Sequence, residues 1–225
     1  LEIGCGTGEL TLSLSKLFPS SHITAVDIAP GMIDTAKSKF KNQYIDFICD
    51  DIENMKIKHN YDLIISNSAF QWFNNLQKTV DKLYAALNSA GILCFSTFGQ
   101  YTFCELKECF NKAGKMLSLK DPISPGQVFY NLDDLTLLCN NIVNNRLHGC
   151  KSLVESKEIF EYEYFNNCRD FLYSVKKIGA SSSNKQTGPA SPAFIRKVIS
   201  LYNENYMKNN RVKATYHCLF FKITK

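Results

Sequence analysis

Gly4, Gly6 and Gly8 occupy alternate positions in the run Leu1-Glu2-Ile3-Gly4-Cys5-Gly6-Thr7-Gly8. Glycines at that spacing can take positive φ and let a ligand lie against bare main chain, with no Cβ in between. Apolar residues precede the turn, and Leu10, Leu14 and Leu17 follow it on one helical face, so the stretch reads as strand, tight turn, helix. Two phosphate-binding spacings are excluded. There is no GxxxxGK followed by Ser or Thr, and a dinucleotide GxGxxG would need Gly or Ala at Glu9 or Thr11. What remains is an acidic residue, Glu2, ahead of GxGxG.

Carboxylates recur downstream where such a turn would use them. Asp27 closes the apolar run 22–26, about 20 residues past the glycines, where Rossmann-like folds place an acceptor for ribose hydroxyls. It could equally cap the helix that opens at Pro30. Asp50 and Asp51 close a third strand, 44–49, and compete for a second acceptor role, since ligands lie outside the carboxyl ends of strands in open α/β sheets.

The elements that must position these residues follow from periodicity. Helical spacing through Met32, Ile33, Ala36 and Phe40 separates the second and third strands, and the continuous apolar run at 61–67 reads as a strand covered on both faces. A helix through Val80, Leu83, Tyr84 and Leu87 leads to a fifth strand, 91–98. Strands alternating with helices predict a parallel, doubly wound, Rossmann-like sheet. Beyond it, helices are expected over 102–117, 132–143 and 168–178, and strands over 159–165 and 212–223. Ser191 with Pro192 should start one more helix, and its predicted buried face is Phe194, Val198, Leu201 and Tyr202. The Ser/Gly/Asn-rich stretch 181–190 has the composition of a mobile loop and is expected to act as a substrate lid. The division predicted is a cofactor-binding core at 1–100, an insertion and lid at 101–190, and a C-terminal helix and strand at 191–225 that complete the sheet. The chain starts inside a strand without an initiator Met, so an upstream segment is expected.

Composition excludes several classes. With 45% hydrophobic and 21% charged residues the 225-residue chain is globular, and no apolar run suggests a membrane span. Nine cysteines without a CxxC pair argue against a disulfide framework or a zinc module, and fit reduced thiols in cytoplasm. His148 and Cys150 form the one close His/Cys pair, and no metal is expected there. The net charge of +5 is scattered, so no nucleic-acid partner is indicated.

The acidic residue with GxGxG resembles motif I of the class I S-adenosylmethionine (SAM) methyltransferases. Asn67-Ser68-Ala69-Phe70-Gln71-Trp72 then resembles the N-x-x-x-Q-W of enzymes that methylate carboxylates, including trans-aconitate methyltransferase. Phe98-Gly99 with Glu105-Leu106, then Lys176-x-Ile178-Gly179-Ala180, then Thr215-Tyr216-His217 are similar, in that order, to the malonyl-acyl carrier protein O-methyltransferases of biotin synthesis. The resemblance spans almost the whole chain. It implies SAM as cofactor, held by Glu2, Gly4, Gly6, Gly8, Asp27, Ile28, Asp51, Ile52 and Asn67, with Ile28 and Ile52 on either side of the adenine. The implied substrate is a malonyl thioester of acyl carrier protein or coenzyme A.

A carboxylate is ionised at neutral pH, so methylating it needs no base, and the absence of a nucleophile–base pair is consistent with that. Donors to the oxygen that is not attacked are needed instead, and Gln71, Trp72, Lys176, Tyr216 and His217 are the candidates. Each has a plainer reading as a core aromatic, a core histidine or a solvated lysine. Two other classes stay open: a protein hydroxylase resembling the respiratory complex I assembly factor, and a noncatalytic protein that has kept the fold.

Overall fold

The computed structural model describes residues 1–40, 44–119, 123–146, 153–177 and 191–225. The predicted lid at 181–190, the Ile178-Gly179-Ala180 piece, His148 and Cys150 lie outside the described residues. The chain forms two compact units, one from Leu1–Thr97, Asn131–Glu158 and Leu219–Lys225, the other from Phe98–Tyr130 and Ile159–Cys218.

The first unit is built on a strand of two residues, β1 (Glu2–Ile3). It pairs in parallel with β2 (Ile23–Asp27) on one side and β4 (Tyr61–Ser66) on the other, in the registers Ile3↔Val26 and Ile3↔Ser66. Next to these, β3 (Ile45–Cys49) pairs in parallel with β2, and β5 (Leu87–Phe98) in parallel with β4. With β6 (Leu153–Phe165) and β8 (Arg211–Thr224) the strand order is β3-β2-β1-β4-β5-β8-β6. The predicted doubly wound, mostly parallel sheet is what the structure has. Its helices are α1 (Glu9–Leu17), α2 (Pro30–Lys39), α3 (Leu76–Ala85) and α5 (Leu132–Arg146).

The central strands are apolar on both faces because helices cover both, and Ile3, Ile64, Leu87 and Leu93 are all buried. Phe70, Phe95 and Phe221 stack in a row, with centroids 4.0 and 4.9 Å apart. Burying each ring contributes roughly 1.5–3 kcal/mol. Leu135, Cys139, Ile142 and Val143 place α5 in this same core. Residues 131–158 therefore join the first unit, whereas the division drawn from the sequence puts them in the insertion.

The second unit has α4 (Cys104–Met116), α6 (Cys168–Lys177) and α7 (Pro192–Tyr206). Leu106, Cys109, Phe110 and Ala113 recur at helical spacing on α4, and pack with Phe194, Val198, Leu201 and Tyr202 of α7. The Ser191 side chain accepts from the Phe194 amide, so the predicted cap and buried face of α7 both hold. After α7 comes β7 (Met207–Lys208), which pairs antiparallel with β8 through Met207↔Val212 and Lys208↔Arg211. This hairpin is absent from the sequence reading. Its signal was Asn209-Asn210, a pair suited to the left-handed turn both adopt, at φ 50° and 58°.

Candidate cofactor site

The site starts from the backbone. Leaving β1, the amides of Gly4 and Cys5 both donate to the Val26 carbonyl, at 2.8 and 3.1 Å, and the Gly8 amide donates to the Cys5 carbonyl. Gly4, Gly6 and Gly8 have φ of 67°, 53° and 84°, a left-handed conformation that costs other residues roughly 1–2 kcal/mol each. Their surroundings differ. A Cβ on Gly4 would lie 2.6 Å from the Ala69 Cβ, and one on Gly8 would lie 3.0 Å from the Phe40 ring, so these two glycines allow close packing. A Cβ on Gly6 would meet nothing within 4 Å, so there the bare main chain faces open space. That is the cradle a SAM-sized ligand requires, and the residues present fit it.

Asp27 holds the cradle in shape. One oxygen accepts from the Gly6 amide at 2.8 Å and the other from the Ala29 amide at 2.9 Å. It does not cap α2: Ala29 is the N-cap and no side chain caps that helix. The alternative read from the sequence is corrected for a geometric reason. The carboxylate spans from the Gly6 amide to the Ala29 amide, and so joins the glycine turn to the entrance of α2 without being its N-cap. Each oxygen keeps a second lone pair for a ligand hydroxyl.

Glu2 is buried, 1% exposed, and one of its oxygens accepts from the Thr11 hydroxyl at 2.6 Å. Burial pushes its pKa up to about 7, against the opposing pull of the Thr11 hydrogen bond. Thr11 itself was missed, because nothing in the sequence marks a helical Thr as the partner of a carboxylate nine residues earlier.

At the third strand, Asp51 shapes its own turn. Its carboxylate accepts from the Glu53 amide at 2.9 Å and from the Asn54 side chain at 2.6 Å. Ile52 is buried, Ile28 is 70% exposed, and Asp50 is exposed with one oxygen on the Asp51 amide. After β4, Asn67 accepts from the Ser96 hydroxyl at 2.6 Å, and the Ser68 amide donates to that same hydroxyl at 3.0 Å. Gln71 is fixed at both ends, donating to the Ser68 carbonyl and accepting from the Thr97 hydroxyl at 3.2 Å. Trp72 is 43% exposed. A cavity of about 480 Å³ lined by Leu10, Ser66, Asn67, Phe95 and Phe220, among others, lies in this unit; it includes Asn67 but none of the three glycines.

The other candidates fall in the second unit. Lys176 is exposed near the end of α6. The Tyr216 hydroxyl donates to Glu163 at 2.8 Å. His217 is fully buried, stacked on Phe160 with centroids 4.6 Å apart, and its Nδ1 accepts from the Tyr101 amide at 3.4 Å. Gly99 leaves room for that ring, since a Cβ there would sit 2.3 Å from Nδ1. Glu105, 3% exposed, accepts from the Thr215 amide at 3.2 Å and from its hydroxyl, and so ties α4 to the strand that carries Tyr216 and His217.

Among the described residues, no group of three or more His, Cys, Asp or Glu could hold a metal ion, and no helix is long and apolar enough to cross a membrane.

A parallel sheet of this strand order, with a glycine turn after its central strand and an acidic residue at the end of the next, defines a class I SAM-dependent methyltransferase. A family model described as a methyltransferase domain matches residues 1–91. The fold recurs in the YcgJ protein of Bacillus subtilis, at TM-score 0.66 and 13% identity over the whole of this chain and 90% of that one. It recurs also in a phosphoethanolamine N-methyltransferase of Haemonchus contortus, at TM-score 0.59 and 16% identity over the whole of this chain and 48% of that one. In sequence, this chain is 49% identical over its full length to a malonyl-acyl-carrier protein O-methyltransferase of Priestia megaterium, covering 82% of it. It is 44% identical, again over its full length, to one of Acetivibrio thermocellus, covering 79%. The chain belongs to the malonyl-acyl-carrier protein O-methyltransferase family.

Proposed function

We propose that this enzyme transfers the methyl group of SAM to the free carboxylate of malonyl-acyl carrier protein, an esterification that serves biotin precursor synthesis in the cytoplasm. The observation that carries the reading is 49% identity, from end to end of this chain, to a protein of that name, together with an intact glycine cradle. SAM supplies an electrophilic methyl group on a sulfonium. Everything else is positioning.

Gly4, Gly6 and Gly8 would hold the cofactor against main chain, Glu2 and Asp27 would accept from its polar groups, and Ile28, Asp51, Ile52 and Asn67 would line the remainder. The substrate carboxylate arrives ionised, so no residue of this chain has to remove a proton. The chain must instead strip water from that anion and hold one oxygen in line with the methyl carbon, at roughly 3–3.5 Å. The other oxygen then needs a donor. Gln71 keeps one N–H beyond its bond to Ser68, and Trp72, Lys176, Tyr216 and His217 are the further candidates.

The test uses full-length enzyme with methyl-labelled SAM and either malonyl-acyl carrier protein or malonyl-coenzyme A. Label should enter a base-labile methyl ester on the carrier protein. Transfer to trans-aconitate with none to either malonyl thioester would overturn the assignment.

A further inference from the structure

Glu53 belongs to no motif, yet its carboxylate joins two parts of the first unit. One oxygen accepts from the Asn74 amide and the Asn74 side chain, both at 2.9 Å. The other accepts from the Asn75 amide at 2.8 Å and the Thr79 hydroxyl at 3.3 Å. All four donors lie just past the Gln71–Trp72 turn, at the start of α3, where Asn75 is the N-cap. The main chain of Glu53 belongs to a different structure, the turn that carries Asp51 and Ile52. That turn is stiff. The amides of Asn54 and Met55 donate to the Asp51 carbonyl at 2.9 and 2.7 Å, and the Asp51 carboxylate closes it from the other side. Lys82 of α3 reaches back to it as well, donating to the carbonyls of Ile52 at 2.9 Å and of Met55.

Two short segments with different duties are thereby locked together. Asp51 and Ile52 sit on the proposed cofactor side, Gln71 and Trp72 on the proposed acceptor side, and neither pair can shift without straining charge-assisted hydrogen bonds to one carboxylate. We propose that Glu53 is a positioning residue that couples the cofactor and acceptor sites, so that a cofactor resting on the Asp51–Ile52 turn sets the position of the Gln71–Trp72 turn and tightens binding at the second site. The coupling is reciprocal, and couplings of this kind are typically 5–150-fold in affinity. It rests on the reading of a malonyl thioester as acceptor.

The test measures the Kd of malonyl-acyl carrier protein by calorimetry, with and without saturating S-adenosylhomocysteine, which fills the cofactor site without turnover. In the parent enzyme the demethylated cofactor should tighten thioester binding at least fivefold. Glu53→Gln keeps the shape and removes the charge, while Glu53→Asp keeps the charge and shortens the reach; in both the ratio should fall below twofold, with the Kd of S-adenosylhomocysteine alone within threefold of the parent. A purely structural role would lower the thermal midpoint and leave the ratio intact. Should Glu53→Gln fail to fold, Thr79→Val removes one donor from the acceptor side alone and should lower the ratio by about half.

An unchanged ratio in Glu53→Gln, or a ratio of one in the parent, overturns the coupling. Failure of the parent to bind the thioester under either condition overturns the substrate reading, and the coupling with it.

Discussion

The three glycines look alike in sequence and do different work. Gly4→Ala drives a Cβ into Ala69 at a left-handed backbone position, so it should destabilise the protein by about 3 kcal/mol or more, read by urea denaturation. Adding Ala69→Gly should recover the steric share of that loss. Gly6→Ala meets no neighbour and should cost only about 1–2 kcal/mol in stability, yet weaken SAM binding at least tenfold by calorimetry, because the methyl group fills the cradle. Equal stability losses at the two sites would refute the distinction.

Asp27→Ala removes the acceptor that shapes the turn and that is proposed to take the ribose hydroxyls. Charge-assisted hydrogen bonds contribute about 1.5–3 kcal/mol each, so SAM affinity should again fall at least tenfold. Glu2 predicts a pH effect. Its folded pKa of about 7 lies above the unfolded value of 4.5, so the folded state holds its proton longer, and this contribution to stability is present below pH 4.5 and lost as the pH rises through 7. The drop in thermal midpoint between pH 5 and pH 8 should therefore be smaller in Glu2→Gln than in the parent; an identical drop would contradict the raised pKa.

At the scale of elements, the strands that carry candidate residues are held in place from the side. Glu105 does this for β8, and is buried with the amide and hydroxyl of Thr215 as donors. Glu105→Ala leaves both groups without their acceptor and should cost about 3 kcal/mol, measured by urea denaturation. A loss below 1 kcal/mol would mean that β8 is fixed by its neighbours alone. Glu105-Leu106 entered the sequence reading only as part of a resemblance, and the structure supplies its physical role. Lys82 and Glu53 carry no such mark: exposed-helix lysines and loop glutamates look the same whether they tie two turns together or face water.

Across the whole molecule, charge is unevenly divided. The second unit has 13 Lys and Arg against 7 Asp and Glu, a net +6, whereas the first has 13 against 14, a net −1, so the excess positive charge of the chain lies in the second. That unit also holds Lys176, Tyr216 and His217. If the acceptor arrives on an acidic carrier protein, kcat/KM for the carrier thioester should fall several-fold from 50 to 300 mM salt, since long-range steering is screened beyond about a Debye length. The coenzyme A thioester, lacking a protein surface, should lose less.

The parallel sheet, nearly every helix and the α7 cap were legible because each rests on local physics: apolar periodicity, a capping serine, glycines at a fixed spacing. The cofactor class was legible in another way, through the resemblance of that glycine turn and its preceding acidic residue to a methyltransferase motif, with a carboxylate some 20 residues on in support. The sequence could not say that residues 131–158 rejoin the first unit, because burial of Leu135 and Val143 is a property of the surface they meet. Nor could it separate Gly4 from Gly6, place one oxygen of Asp27 on the Gly6 amide, or find the partners of Glu2 and Glu53. Those are contacts between residues 9 to 65 positions apart, decided by where the sheet and helices bring the backbone, and only the tertiary structure contains them.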